Sequence, residues 1–201
     1  MVQFLVNLVN GLSLGSVYAI IALGYTMVYG IAKMLNFAHG DVIMVGAYAV
    51  FVAMSSNGIP AIPAILISMV VCTTLGIVIE RVAYRPLRGA ASPLAVLITA
   101  IGVSYLLQNL ALLIFGSEQK AYPPLGSLPG FSIGEVRVDG MTLMTLCVTA
   151  VIMIGLTLFI NGTKTGKAMR AVSEDRGAAE LMGISTNKTI LLTFAIGSAL
   201  A

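Results

Sequence analysis

The sequence predicts an all-α integral membrane protein: a multi-span helical bundle with one short or broken helix and a helical loop on one face. Composition is the first observation. Of 201 residues, 58% are hydrophobic and 9% charged, whereas soluble domains carry about 25% charged residues. The second is the mean hydropathy of +1.00. The third is spacing: the apolar residues fall into runs near the length of about 20 that a spanning helix needs, parted by polar segments.

The first run covers 4–31 and contains Gly11, Gly15, Gly24 and Gly30. Gly11 and Gly15 form a small-xxx-small pair, a pattern that lets two helices approach closely in lipid. No Lys or Arg precedes this run, so a secretory signal with its positive n-region is not expected. The polar stretch KMLNFAHGD, 33–41, comes next. The second run, 42–54, is short for a span, so its helix is expected to be short or to enter only part-way. SSNGIPAIP, 55–63, reads as a turn from its Asn-Gly and two prolines.

The third run is 61–79, followed by ERVAYRPLRGAASP at 80–93. Arg81, Arg85 and Arg88 recur there at spacings of four and three, which a helix would place on one face. They suit topology anchoring, or contact with lipid headgroups or an acidic partner. The fourth run is 94–115, and 116–140 is a loop whose FSIGEVRVDG tail alternates like a short strand pair. The fifth run is 141–160, the polar segment 161–188 follows, and a sixth run opens at 189. That last run, 189–201, is too short to span, so a longer protein with further C-terminal spans is expected. The whole of 1–201 reads as one transmembrane domain.

Charge placement gives an orientation. With the N-terminus outside and each run crossing once, segments 32–41, 80–93 and 161–188 share the inner face. They hold Lys33, Arg81, Arg85, Arg88, Lys164, Lys167, Arg170, Arg176 and Lys188, against Lys120 and Arg137 on the other side. That asymmetry is the positive-inside signature.

Residues 168–184 read AMRAVSEDRGAAELMGI. Ser173 before Glu174 and Asp175 predicts a helix N-cap with acids in the first turn. Ala178, Ala179, Glu180, Leu181 and Met182 are strong helix formers, and Gly183 is a natural stop. TKTGKAMRAV upstream predicts another short helix. Two short helices between spans offer a knob with an apolar tip at Leu181, Met182 and Ile184, and charge at Arg170, Glu174 and Arg176. The plainer reading is a solvated interfacial loop.

GKAMRAVSEDRGAAELMGI resembles the coupling loop of ABC importer permeases. Three further stretches, NGLSLGSVYAIIALGYTMVYGI at 10–31, KMLNFAHGDVIMVGAYAVF at 33–51 and IERVAYRPLRG at 79–89, extend the likeness to the branched-chain amino acid permease family over nearly the whole chain. The usual importer signature is Glu-Ala-Ala, three residues, then Gly. Here Gly177 replaces the Glu before Ala178, Ala179 and Gly183. The resemblance implies a permease in a bacterial inner membrane, with 116–140 periplasmic and 161–188 a cytoplasmic coupling loop. It implies ABC ATPase subunits, a second homologous permease and a periplasmic amino-acid-binding protein as partners beside the lipid bilayer. Its ATPase-coupling residues would be Arg170, Glu174, Asp175, Ala178, Ala179 and Gly183.

A helix broken at 36–41 would expose backbone N–H groups and partial positive charge at a helix start. Transporters use such half-helix ends to hold anionic substrate groups. Asn36, His39 and Gly40 are therefore candidate pathway residues, although His39 reads more readily as an interfacial residue bonded to a nearby carbonyl. Asp41 fits ordinary capping and would repel a carboxylate. Gln108 is the fourth candidate. It and Asn109 lie about 100° apart on a helix, so at most one faces a pathway and the other bridges helices.

The sequence holds no phosphate-cradling GxxxxGK[ST], no HExxH, no GxSxG and no clustered carboxylate pair. A membrane enzyme is not expected, and ATP would be hydrolysed by partners. Cys72 and Cys147 stand singly in apolar runs, so neither a metal nor another cofactor is expected. No nucleic-acid partner is expected. An ion-coupled secondary transporter would place ionisable groups within its spans, and here they lie at run boundaries. Urea, short amides or another amino acid remain alternative cargoes within the same family.

Overall fold

The computed structural model describes residues 2–88, 93–122, 131–133 and 136–201, and over these the chain is a helical bundle. The helices are α1 (Val2–Ala32), α2 (His39–Ser55), α3 (Ala61–Ile79), α4 (Pro93–Phe115), α5 (Gly140–Gly162), α6 (Lys164–Glu174), α7 (Arg176–Leu181) and α8 (Thr186–Ala199). A two-stranded antiparallel hairpin, β1 (Phe131–Ile133) and β2 (Val136–Val138), realises the expected strand pair. Loop residues 89–92, 123–130 and 134–135 lie outside the described residues.

Among the described residues, four helical stretches are long and apolar enough to cross a membrane: Gln3–Ala32, Ala61–Leu87, Leu94–Phe115 and Gly140–Gly162. α2, with 17 residues, is short, as expected, and would rise only about 25 Å against a hydrocarbon core of about 30 Å. It nevertheless runs antiparallel to α3. Ser68 Oγ donates to the Gly46 carbonyl at 2.8 Å, and Cys72 Sγ reaches the Val42 carbonyl at 3.5 Å. The chain therefore reverses at 55–60, and the short helix does not return to the end from which it started.

Long-range bonds gather the polar segments. Tyr84 donates to Asn36, Arg88 to Asn187 and Arg176 to Ala32. These bonds bring 33–38, 80–88 and 161–188, which together hold nine Lys and Arg residues, to one end of the bundle. Tyr122 Oη, in the chain beyond α4, donates to the Ala47 carbonyl half-way along α2 at 2.7 Å.

Lipid tails are as apolar as Leu, so helices in a bilayer gain by close packing rather than by hiding grease. The chain follows that rule. Large apolar residues such as Ile65, Val70, Leu113, Ile114, Val151 and Ile154 face outward, while Ser16, Ser68, Thr149, Thr193 and Ser198 are buried. α8 threads between α1 and α3. A Cβ on Gly76 would sit 2.1 Å from Ser198 Oγ, so only glycine admits α8 at that crossing. Gly11 and Gly15, the expected contact pair, instead face open space within this chain.

The arginine trio also departs from expectation. α3 runs into a π turn, Glu80–Tyr84, and then a 3-10 turn, Arg85–Leu87, with Pro86 inside it. The altered winding breaks the regular helical spacing. Arg81 and Arg85 are exposed, whereas Arg88 turns in to pair with fully buried Glu80.

Candidate functional site

Two polar interruptions meet at the basic end of the bundle. The first is the loop carrying α6 and α7. Thr163 caps α6, its hydroxyl accepting from the Gly166 N–H at 2.9 Å. Met169 and Val172 bury one face of α6, and Arg170 on the exposed face donates to Asn161 Oδ1 at 3.2 Å. α6 runs on through Ser173, so the expected Ser173 cap is corrected. Asp175 takes the extended conformation, with φ −147° and ψ 115°, and its Oδ1 accepts from the Ala178 N–H at 3.1 Å. The helix already formed from Lys164 leaves Ser173 no free N-terminus to cap; the break falls two residues later.

α7 ends as expected at Gly183. Its φ of 81° is left-handed, and Ile184 N donates back to the Ala179 carbonyl at 3.0 Å. Leu181 and Met182 stand 91% and 82% exposed at the tip, while Ile184 is half-buried. Of the six residues expected to couple, Arg170, Glu174, Asp175, Ala178 and Gly183 are exposed. Ala179 is 3% exposed and packs inward.

The second interruption is the break between α1 and α2. Lys33 adopts φ 51°, the left-handed region that costs a non-glycine residue about 1–2 kcal/mol. The chain leaves α1 there and re-forms a helix at His39. His39 is 3% exposed, sits edge-on to Tyr25 with ring centroids 5.9 Å apart, and leaves Nε2 without a partner among the described residues. Tyr25, Asn36, Phe37, His39, Gly40 and Ile43 help line a recess of about 480 Å³.

Three of the four pathway candidates, Asn36, His39 and Gly40, therefore share one recess. Gln108 lies elsewhere. Its Nε2 donates to Asp41 Oδ1 at 3.0 Å and to Ser104 Oγ at 3.1 Å, tying α4 to α2. Gln108 is thus the bridging amide, while the side chain of neighbouring Asn109 bonds back to the Tyr105 carbonyl within α4 at 2.7 Å. Asp41 stands in the first turn of α2, as expected, but the N-cap residue is Ala38 and no side chain makes a capping bond there.

Residues that sequence reasoning did not assign to this site complete this end. Tyr84 Oη donates to Asn36 Oδ1 at 2.8 Å. Glu80 pairs with Arg88, which donates from Nη1 to Asn187 Oδ1 at 2.9 Å. Burial, with Arg176 nearby, lowers the Arg88 guanidinium to about 10, so it stays charged at neutral pH. Arg176 itself donates to the Ala32 carbonyl. The signal available beforehand was Glu80, a lone acid opening a segment otherwise basic.

Residues 7–201 match the family described as "Branched-chain amino acid transport system / permease component". The chain belongs to the branched-chain amino acid permease family. It is similar to the high-affinity branched-chain amino acid transport system permease protein BraD of Pseudomonas aeruginosa, 47% identical over 99% of this chain and 68% of that protein. The LivH permease of Escherichia coli K12 is 42% identical over 98% of this chain and 68% of its own length. A probable LivH of Methanocaldococcus jannaschii is 30% identical over 90% of this chain and 59% of that protein. No solved structure matches significantly. Members of this permease family are described as transport components, and the four apolar helices make this chain a membrane protein.

Proposed function

We propose that the chain is the permease subunit of an ATP-driven importer of branched-chain amino acids, and that residues 163–185 are the loop through which ATPase subunits drive it. The observation that carries the proposal is the exposed tip of α7. Leu181 and Met182 project beyond a helix pair capped at both ends. Large apolar side chains held out on a rigid polar knob, away from the lipid-facing helices, suit a protein partner. Arg170, Glu174 and Asp175 supply charge around that tip, Ala178 and Gly183 leave room for close approach, and Ala179 supports the knob from within.

In this reading the basic end of the bundle faces the cytoplasm of a bacterial inner membrane, and the N-terminus and the 116–140 loop face the periplasm. A binding protein delivers the amino acid there, and a second homologous permease completes the pathway. The recess at Asn36, His39 and Gly40 is the proposed substrate station. The start of α2 offers partial positive charge to a carboxylate, and His39, whose buried Nε2 has no partner among the described residues, lines the same recess. Asp41 is drawn off toward Gln108, which lessens its repulsion of an anion.

The test is uptake into proteoliposomes holding the intact permease pair with its ATPases, with binding protein supplied outside. Labelled leucine, isoleucine and valine should enter only with ATP inside. Uptake without the ATPases would overturn the importer reading, and preference for urea or short amides would overturn the substrate.

A further inference from the structure

The docking loop and the helix break are joined by a contact that neither docking nor substrate binding requires. Arg176 opens α7, and its guanidinium donates to the carbonyl of Ala32, the last residue of α1. Carbonyls in the last turn of a helix have no partner within it. This one also stands at the negative end of a 31-residue helix dipole, where a cation is favoured. The next residue is Lys33, the left-handed turn that breaks the chain. Beyond that turn, Asn36 is held by Tyr84, whose π turn begins at the buried Glu80 paired with Arg88. Arg88 in turn reaches Asn187 in the first turn of α8. The turn at Lys33 is thus gripped on both sides, by α7 before it and by the end of α3 after it.

We propose that Arg176 is a positioning residue that ties the docking loop to the end of α1, so that displacement of the loop reshapes the turn at Lys33 and with it the recess at His39. The inference rests on the importer reading. A loop that merely lay beneath the bundle could shift without moving the break; a charge-assisted bond to the residue before the turn couples the two. Only four residues, 182–185, separate α7 from α8, so α8 is carried along.

The experiment counts leucine imported per ATP hydrolysed, using the intact transporter in proteoliposomes with binding protein. Arg176→Ala should keep the ATPases bound and hydrolysis near wild type, while leucine per ATP falls about tenfold, within the usual range of coupling effects. Arg176→Lys keeps the charge and should recover most of the ratio. An unchanged ratio in Arg176→Ala overturns the tie, as does a loss of import in step with hydrolysis. If the alanine variant does not insert, Tyr84→Phe removes a single hydroxyl from the other side of the turn. A lowered ratio there supports the linkage, and a wild-type ratio overturns it. Wild-type import that needs no ATP would instead sink the importer reading itself.

Discussion

The caps that shape the loop of residues 163–185 bond to near neighbours in the chain, with Arg176 alone reaching out to Ala32, whereas the break at residues 33–41 is held by residues from far along the chain. In the loop, Thr163 bonds to Gly166, Asp175 to Ala178 and Ile184 to Ala179. At the break, Asn36 depends on Tyr84, Asp41 on Gln108 and the end of α1 on Arg176. The loop is therefore a preformed part that a partner can push without deforming. The break is a junction whose shape is set by several helices together, so movement of any one of them reaches it. Damage should differ accordingly: remote and large at the break, local and small in the loop.

The largest expected effect tests the first half of that contrast. Glu80→Ala would leave Arg88 buried without its carboxylate. Stranding one member of a buried pair costs about 3–5 kcal/mol. We expect strongly reduced yield in the membrane and a lower aggregation temperature in detergent. Glu80→Ala combined with Arg88→Met should recover much of the loss, and no recovery would mean that the pair does not organise this junction. The next effect is in the loop but concerns binding rather than folding. Leu181→Arg should weaken retention of ATPase subunits on affinity-purified permease by more than about tenfold, or about 1.4 kcal/mol, with normal membrane yield. Undiminished retention would place the docking surface elsewhere.

The same contrast explains what could be read from the residues beforehand. Helix limits, the short second helix, the two loop helices and Gly183 followed from local rules, because apolar run length, propensity and a left-handed stop act within a few residues. The cap at Ser173 was misplaced because Ser173 and Asp175 are both good caps, and the choice depends on how far α6 extends. The clustering of Asn36, His39 and Gly40 was legible, since they are neighbours in sequence. Tyr84, Arg88 and Arg176 were not assigned to the junction, because they reach partners 48, 99 and 144 residues away and no periodicity reports such distances. The contact expected at Gly11 and Gly15 was located at Gly76 for the same reason: small-residue spacing marks a surface that can pack, not the helix that packs on it.

Two smaller effects sharpen the comparison. His39→Ala removes the imidazole that lines the recess without touching Tyr84 or Arg176. Its hydrogen bond to a charged group would contribute about 1.5 kcal/mol, so half-saturation of uptake should rise about tenfold, with leucine per ATP unchanged. Unaltered half-saturation would remove His39 from the substrate station.

Asp175→Ala should have the least effect. Loss of an N-cap costs about 1 kcal/mol, and α7 has only six residues, so the cost falls on a unit too short to be stable alone. The helix is nevertheless braced by Ala179 beneath it, Arg176 on Ala32 and the Gly183 stop. Amide exchange should therefore quicken for residues 176–182 and leave 33–41 unchanged, with ATPase retention reduced only a few-fold. Asp175→Ser supplies another oxygen at the cap and should restore slow exchange. If Asp175→Ala instead quickens exchange at residues 33–41, the division between a locally capped part and a remotely held junction fails.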